Sequence, residues 1–176
     1  MHKRFREGWY VLHVRSRCEK KVEAALRMAS VDAYLPLAKR VKRWSDRRKE
    51  TYEPLFRSYV FVYIHQPSEF SKAKWTEGVC DFIQFGNRYA RVKDEEIQNI
   101  KILMSSGLDN IYAEGYLPKT GETYSIKEGP LQGLECEIVK ARNEQKIIVR
   151  VRSIHLNITA SLPAGSLQRT RGRHGM

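Results

Sequence analysis

The side chains in this sequence that could do chemistry are mostly cationic. Arg15, Arg17, Lys20 and Lys21 crowd one short stretch. Lys39, Arg40, Lys42, Arg43, Arg47, Arg48 and Lys49 then place seven positive charges in eleven residues, opposed there only by Asp46. Guanidinium and ammonium groups at that density suit phosphate oxygens, and Trp44, interleaved in the second cluster, supplies a ring on which a base can stack. Each cluster also has a bland reading, as a solvated basic turn and a solvated hairpin respectively.

Catalytic chemistry is harder to find. The five histidines, at positions 2, 13, 65, 155 and 174, have no metal-ligand spacing, and Cys18, Cys80 and Cys136 form no CxxC pair. The sequence lacks a P-loop, GxGxxG, GxSxG or HExxH motif. Asp94-Glu95-Glu96 reads as an acidic first turn of a helix rather than an acid/base dyad. His13 near a strand end reads as a packed or surface residue, with nucleic-acid contact as its functional alternative. A binding module without cofactor or metal is therefore expected, not an enzyme.

The totals agree with that direction. Lys and Arg number 32 against 20 Asp and Glu, giving a net charge of +12 over 176 residues. That excess favours nucleic acid or an anionic membrane surface. No run approaches the ~20 apolar residues of a spanning helix. The basic N-terminus lacks an apolar stretch of signal-peptide type. Three scattered cysteines suggest a reducing cytoplasm, and a monomer is expected.

The elements that must position these residues follow from periodicity. Trp9 to Val14 alternates as a strand, with Trp9, Val11 and His13 on one face. Ser16 followed three residues later by Glu19 predicts a capping box, and Val22, Ala25, Leu26 and Ala29 predict the buried stripe of the helix behind it. The basic cluster Arg15 to Lys21 would then flank a helix N-terminus, where the dipole already favours anions. Asp32 to Leu37 reads as a strand with Pro36 at an edge or bulge, and residues 39 to 49 as a basic hairpin turning near Ser45-Asp46.

The central stretch is Tyr59 to Ile64. Pro54 biases Glu53 toward an extended conformation ahead of it. At period two, Val60, Val62 and Ile64 form an aliphatic face that reads as core. Tyr59, Phe61 and Tyr63 form an aromatic face needing a cover, either the chain's own helices or a partner. His65 to Lys72 reads as polar and irregular, Lys72 to Trp75 as a short helix, Val79 to Phe85 as a strand, and Asp94 to Met104 as a helix with Ile97 and Ile100 inward. Residues 107–118 read as a linker. Short strands at 122–127, 135–142, 146–151 and 154–162, separated by turn signals, predict a small closed barrel. Residues 171–176 read as a basic tail. The fold class is α+β: an N-terminal antiparallel sheet flanked by helices over 8–106, then the small barrel over 119–170.

Four pieces in order carry a resemblance. Trp9-Tyr10-Val11-Leu12-His13-Val14 with its helix, Glu53 to Ile64, Glu77-Gly78-Val79-Cys80-Asp81-Phe82-Ile83 and Asp94-Glu95-Glu96-Ile97 resemble the N-terminal domain of NusG-type transcription elongation factors. Thr120-Gly121-Glu122 through Leu134 and the strands after it resemble the SH3-like KOW barrel of that family. Trp44-Ser45-Asp46-Arg47 and Glu53-Pro54-Leu55-Phe56 are most similar to the specialised RfaH-like and UpxY-like antiterminators.

The resemblance implies a non-catalytic, operon-specific elongation and antitermination factor. Its N-terminal domain would sit on the clamp helices of the largest RNA polymerase subunit and touch non-template DNA. Tyr59, Phe61, Phe85 and Ile97 match the polymerase-binding positions. His13, Arg15 and Lys21 match the side that approaches non-template DNA; Arg17 and Lys20, with Arg43, Trp44, Arg47 and Arg48 of the hairpin, join the nucleic-acid-binding candidates on their charge and stacking chemistry alone. The barrel's partner would be the small-subunit ribosomal protein, Rho or RNA. Two departures stand out: Ser68 to Lys72 lacks the RfaH motif for the far side of the channel, and Cys136 stands where the KOW motif carries glycine. The β-branched Ile147-Ile148-Val149 and Val151 favour a permanent barrel. The alternative function is a KOW-containing RNA-binding or ribosome-associated protein; a nuclease is a distant third.

Overall fold

The computed structural model describes residues 6–43, 48–108, 110–115, 123–126, 130–141 and 144–162. The chain divides into two units: Met1–Pro36 with Pro54–Asp94, and Leu37–Glu53 with Glu95–Met176.

The first unit is built on an antiparallel sheet. Strands β1 (Gly8–Val14), β2 (Asp32–Tyr34), β5 (Tyr59–Ile64) and β6 (Val79–Phe82) lie in the order β2-β5-β1-β6, and β9 (Arg91–Val92) also pairs with β1. The register places Trp9 opposite Tyr63, Val11 opposite Phe61 and His13 opposite Tyr59. On the adjoining edge Tyr34 faces Phe61 and Asp32 faces Tyr63. Directly opposed residues share a face, so the two faces of the sheet can be read off. One holds Tyr10, Leu12, Val14, Val60, Val62 and Ile64, all buried. Helix α1 (Glu19–Met28), through Val22 and Leu26, and helix α2 (Pro67–Lys74), through Phe70 and Ala73, supply the apolar cover. A ring cluster seals the α2 end: Tyr10 lies 4.9 Å from Phe70, and Phe70 lies 4.7 Å from Phe82 and 5.3 Å from Tyr89. The aliphatic face of β5 is core, as its alternation predicts.

Local expectations fare unevenly. α1 forms around its Val22/Leu26 stripe, but the capping box does not. The helix begins at Glu19 behind Cys18, without a side-chain cap, and the Glu19 carboxylate accepts a 2.8 Å hydrogen bond from the Ser58 N–H instead. Ala29 falls past the last turn and is exposed. The helix closes with Ser30 at φ 58° while Val31 N–H donates to the Leu26 carbonyl and Ser30 N–H to that of Arg27. These paired bonds satisfy carbonyls the helix itself cannot. The stretch expected to be irregular from His65 is instead the eight-residue α2, with Pro67 at its start and Glu69 reaching back to the His65 N–H at 2.7 Å. The strand expected from Val79 to Phe85 is split into β6 and β7 (Gln84–Phe85), and β7 pairs with β8 (Arg88–Tyr89) as a small hairpin.

In the second unit, β3 (Leu37–Arg43) and β4 (Arg48–Pro54) pair as the basic hairpin. Helix α3 (Asp94–Ser105) buries Ile97, Ile100 and Leu103. A five-stranded antiparallel sheet follows, in the order β10 (Tyr112–Gly115), β14 (Leu156–Leu162), β13 (Glu144–Val151), β12 (Glu135–Ala141) and β11 (Thr123–Ser125). Its first strand lies within the stretch read as linker. That strand is held because Tyr112 to Gly115 pair with Thr159 to Leu156. Among the described residues β10 and β11 remain the two edges of this sheet. Cys136 is buried on β12, and burial, aided by Glu137, pushes its thiol up to about 12. A thiol held neutral in that way is a packing residue.

One polar network crosses the second sheet. Arg150 forms a two-pronged ion pair with Glu137, Nη2 donating to Oε2 at 2.8 Å, and both side chains are buried (9% and 3% exposed). Arg150 Nη1 also donates to Asn157 Oδ1 at 3.4 Å, and Asn157 Nδ2 to the Gly115 carbonyl at 2.8 Å. Four strands, β12, β13, β14 and β10, are thus stitched by one relay.

Candidate protein and nucleic-acid interfaces

The second face of the first sheet differs from the core. Trp9, Tyr34, Tyr59 and Tyr63 are each half-buried, and His13 is exposed. The rings pack on one another edge-on: Trp9 lies 5.4 Å from Tyr63 and 6.4 Å from Tyr34, and His13 lies 6.2 Å from Tyr59. Such edge-to-face pairing fixes the rings while leaving their outer edges accessible. Burial raises the Tyr34 hydroxyl above its ordinary titration range, with Glu23 adding to the effect, so the ring stays neutral.

Tyr59 is positioned by the turn that precedes it. Ser58 adopts φ 62°, its carbonyl accepts from the Val14 N–H at 2.8 Å, and its own N–H is held by Glu19. β1 and α1 thereby clamp the residue immediately before Tyr59. Glu19 is 5% exposed, so this is a buried carboxylate with a specific task.

Two residues read from sequence as contact positions are buried instead. Phe61 is fully buried, with Phe56 edge-on at 5.5 Å and Tyr34 at 6.3 Å. The cross-strand positions of Val11 and Phe61 make them the centre of the face, which Phe56 helps to close; period-two alternation says only that they share it. Ile97 is 2% exposed on α3, which belongs to the second unit. Phe85 is 46% exposed on β7, outside the sheet that carries Tyr59. Of the four, Tyr59 and Phe85 offer surface.

The basic residues after β1 stay together. Arg15, Arg17, Lys20 and Lys21 are all exposed, and Arg17 takes φ 66° in the turn between β1 and α1. This turn is tied to the segment between α2 and β6: the Arg15 N–H donates to the Gly78 carbonyl at 2.9 Å, and Lys21 pairs with Glu77 at 2.7 Å. Their hydrogen bond raises the Lys21 pKa and lowers that of Glu77, with Arg15 adding to the latter. Both side chains of the pair are exposed, so water screens it. Gly78 fits because a Cβ there would lie 3.0 Å from Val22 Cγ2, and its φ of +93° disfavours any side chain.

In the hairpin, Lys39 pairs with Glu50 at 2.8 Å, and the Arg40 guanidinium sits 4.4 Å over the Tyr112 ring. The latter is a cation–π contact that engages one of the cluster's charges within the protein. Arg43 ends β3, and Arg48, which opens β4, is exposed. Trp44 and Arg47 lie outside the described residues.

The strand register joins Trp9 and Tyr34 to the aromatic face that alternation marks with Tyr59 and Tyr63, and Trp75, to which periodicity gives no role, is 82% exposed at the end of α2. Among the described residues no group of three or more His, Cys, Asp or Glu is arranged to hold a metal, and no helix is long and apolar enough to cross a membrane. The three cysteines are free thiols.

The fold has a known counterpart. A structure from Thermotoga maritima, described as domain interaction in NusG, is similar over 89% of this chain and 93% of that one, with a TM-score of 0.53 and 22% identity. A weaker likeness, with a TM-score of 0.33 and 12% identity over 86% of this chain and 91% of the other, is to the MjSpt4:Spt5 complex. The family model of NusG, the transcription termination factor, matches residues 7–101, more than half of the sequence. The chain is a member of the NusG family of transcription factors.

Proposed function

We propose that this protein is a non-catalytic elongation and antitermination factor for a restricted set of operons. It binds the clamp helices of the largest RNA polymerase subunit with the aromatic face around Tyr59, and non-template DNA with the basic turn after β1 and the β3–β4 hairpin. The observation carrying this reading is an asymmetry: one face of the sheet is sealed by its own helices, while the other keeps four half-buried rings and an exposed His13. Aromatic rings with accessible edges, fixed in advance by neighbouring rings, are what a helical partner can bury at low entropic cost. Family membership supplies the transcription machinery as context. Specialisation rests on the resemblance of the hairpin and of Glu53 to Phe56 to the RfaH-like and UpxY-like proteins. The C-terminal sheet is read as a KOW barrel that recruits the small-subunit ribosomal protein, Rho or RNA.

The test is a pull-down from nuclease-treated lysate. The intact protein retains polymerase subunits and Tyr59→Ala does not; retention by the variant removes the assignment of Tyr59. A second reading, an RNA-binding or ribosome-associated protein, draws on the +12 net charge. It requires tight, steeply salt-dependent RNA binding in the absence of polymerase.

A further inference from the structure

Trp75 is the most exposed aromatic residue among the described large apolar side chains, at 82%. A tryptophan left in water forgoes a large apolar stabilisation, so its surroundings indicate what it is for. It stands at the C-terminal cap of α2, its N–H donating to the Ser71 carbonyl at 3.0 Å. The next residues are also fixed: Thr76 Oγ1 donates to the Lys72 carbonyl at 2.9 Å, and the Val79 N–H to the Thr76 carbonyl at 3.0 Å. Three residues beyond the tryptophan, Gly78 accepts from Arg15, and Glu77 pairs with Lys21. The backbone under the ring is therefore rigid and joined to the basic turn. The two tied segments carry the cations Arg15, Arg17, Lys20, Lys21, Lys72 and Lys74, against the carboxylates Glu77 and Asp81, which pair with Lys21 and Lys74.

From this we infer that Trp75 is a stacking platform for an unpaired base of a single nucleic-acid strand whose phosphates lie on the neighbouring cations. The inference rests on the nucleic-acid reading of that turn and adds to it the side chain that meets a base. Phosphate contacts alone do not distinguish a base-bearing strand from a bare backbone, nor melted strand from duplex. An exposed indole on a hydrogen-bonded backbone does, because every base has a π face and only an unpaired one can present it. An apolar protein partner would use the indole but not the surrounding positive charge; a polyanion uses both.

Fluorescence anisotropy of the full chain at low salt tests this, with three labelled probes of about 10 nucleotides: a dT strand, the same strand with abasic sites throughout, and a duplex. The intact protein binds the dT strand about tenfold more tightly than the abasic strand, the effect of one stacked base. Trp75→Ala abolishes that difference while abasic binding and the salt dependence stay as they were, and Trp75→Phe retains part of it. If Trp75→Ala keeps the full preference for bases, or weakens all three probes equally, the stacking role is overturned while the basic surface stands. Equal binding of duplex and dT strand by the intact protein likewise overturns it. Failure of the intact protein to bind any probe overturns the nucleic-acid reading itself, and the platform with it.

Discussion

Tyr59 and Phe61 stand on the same face of the same strand, two residues apart, yet their replacement by alanine should have opposite consequences. Phe61 is fully buried, edge-on to Phe56 and beside Tyr34. Removing a ring from such a site leaves a cavity and costs about 3–5 kcal/mol, a large share of the ~5–15 kcal/mol that holds a typical domain together. Tyr59 is half-buried and touches His13 along one edge, so its loss costs the fold only about 1 kcal/mol. At an interface, an anchoring aromatic contributes about 2 kcal/mol, some 30-fold in affinity. Guanidinium titrations of both variants, beside quantitative polymerase retention, separate the roles. Tyr59→Ala keeps the midpoint near that of the parent and loses the polymerase. Phe61→Ala shifts the midpoint far downward with a similar slope, and its binding falls only in proportion to the unfolded fraction. Phe61→Leu, which refills most of the volume, restores both. A Phe61→Ala protein of parental stability that no longer bound polymerase would refute the reasoning, since the ring would then be a contact residue and not packing.

Other expectations follow from the polar interior. Arg150→Met strands the Glu137 carboxylate among apolar residues and should cost about 3–5 kcal/mol, whereas Arg150→Met with Glu137→Leu recovers most of it, as denaturant midpoints of the two proteins would reveal. Glu19→Ala leaves the Ser58 N–H without its acceptor and should lower stability by about 1–3 kcal/mol; polymerase retention then falls more than the fraction unfolded explains, because Ser58 positions Tyr59. His65 titrates above its ordinary value of 6.5, chiefly because its ring is hydrogen-bonded to Asp32, with Glu7 and Glu69 adding to the effect. A pKa raised on folding means protonation favours the folded chain. This contribution is complete below pH 6.5 and fades as pH rises through the raised folded value, a decline that His65→Gln should flatten in stability measured against pH.

Features whose cause is local can be read from the order of the residues alone. The pairing of β3 with β4 agrees with the hairpin read from the dense positive charge of residues 39–49, and β5 follows from six β-branched or aromatic residues behind Pro54. The stripe of Val22 and Leu26 suffices to make α1. Where equivalent residues end up depends on how the strands pair. Alternation puts Tyr59, Phe61 and Tyr63 on one face, but only the pairing of β1, β2 and β5 places Phe61 at the centre under Phe56 and leaves Tyr59 and Tyr63 toward the rim. Likewise, the Ser16/Glu19 spacing is a genuine capping signal, yet the Ser58 N–H, 39 residues away, presents a donor that captures the carboxylate in a buried setting. A local rule ranks the partners within reach along the chain; folding brings others, and at low dielectric the better-placed donor wins. The same holds for β10, a stretch that reads as a loop but is drawn into a strand because β14 offers its edge.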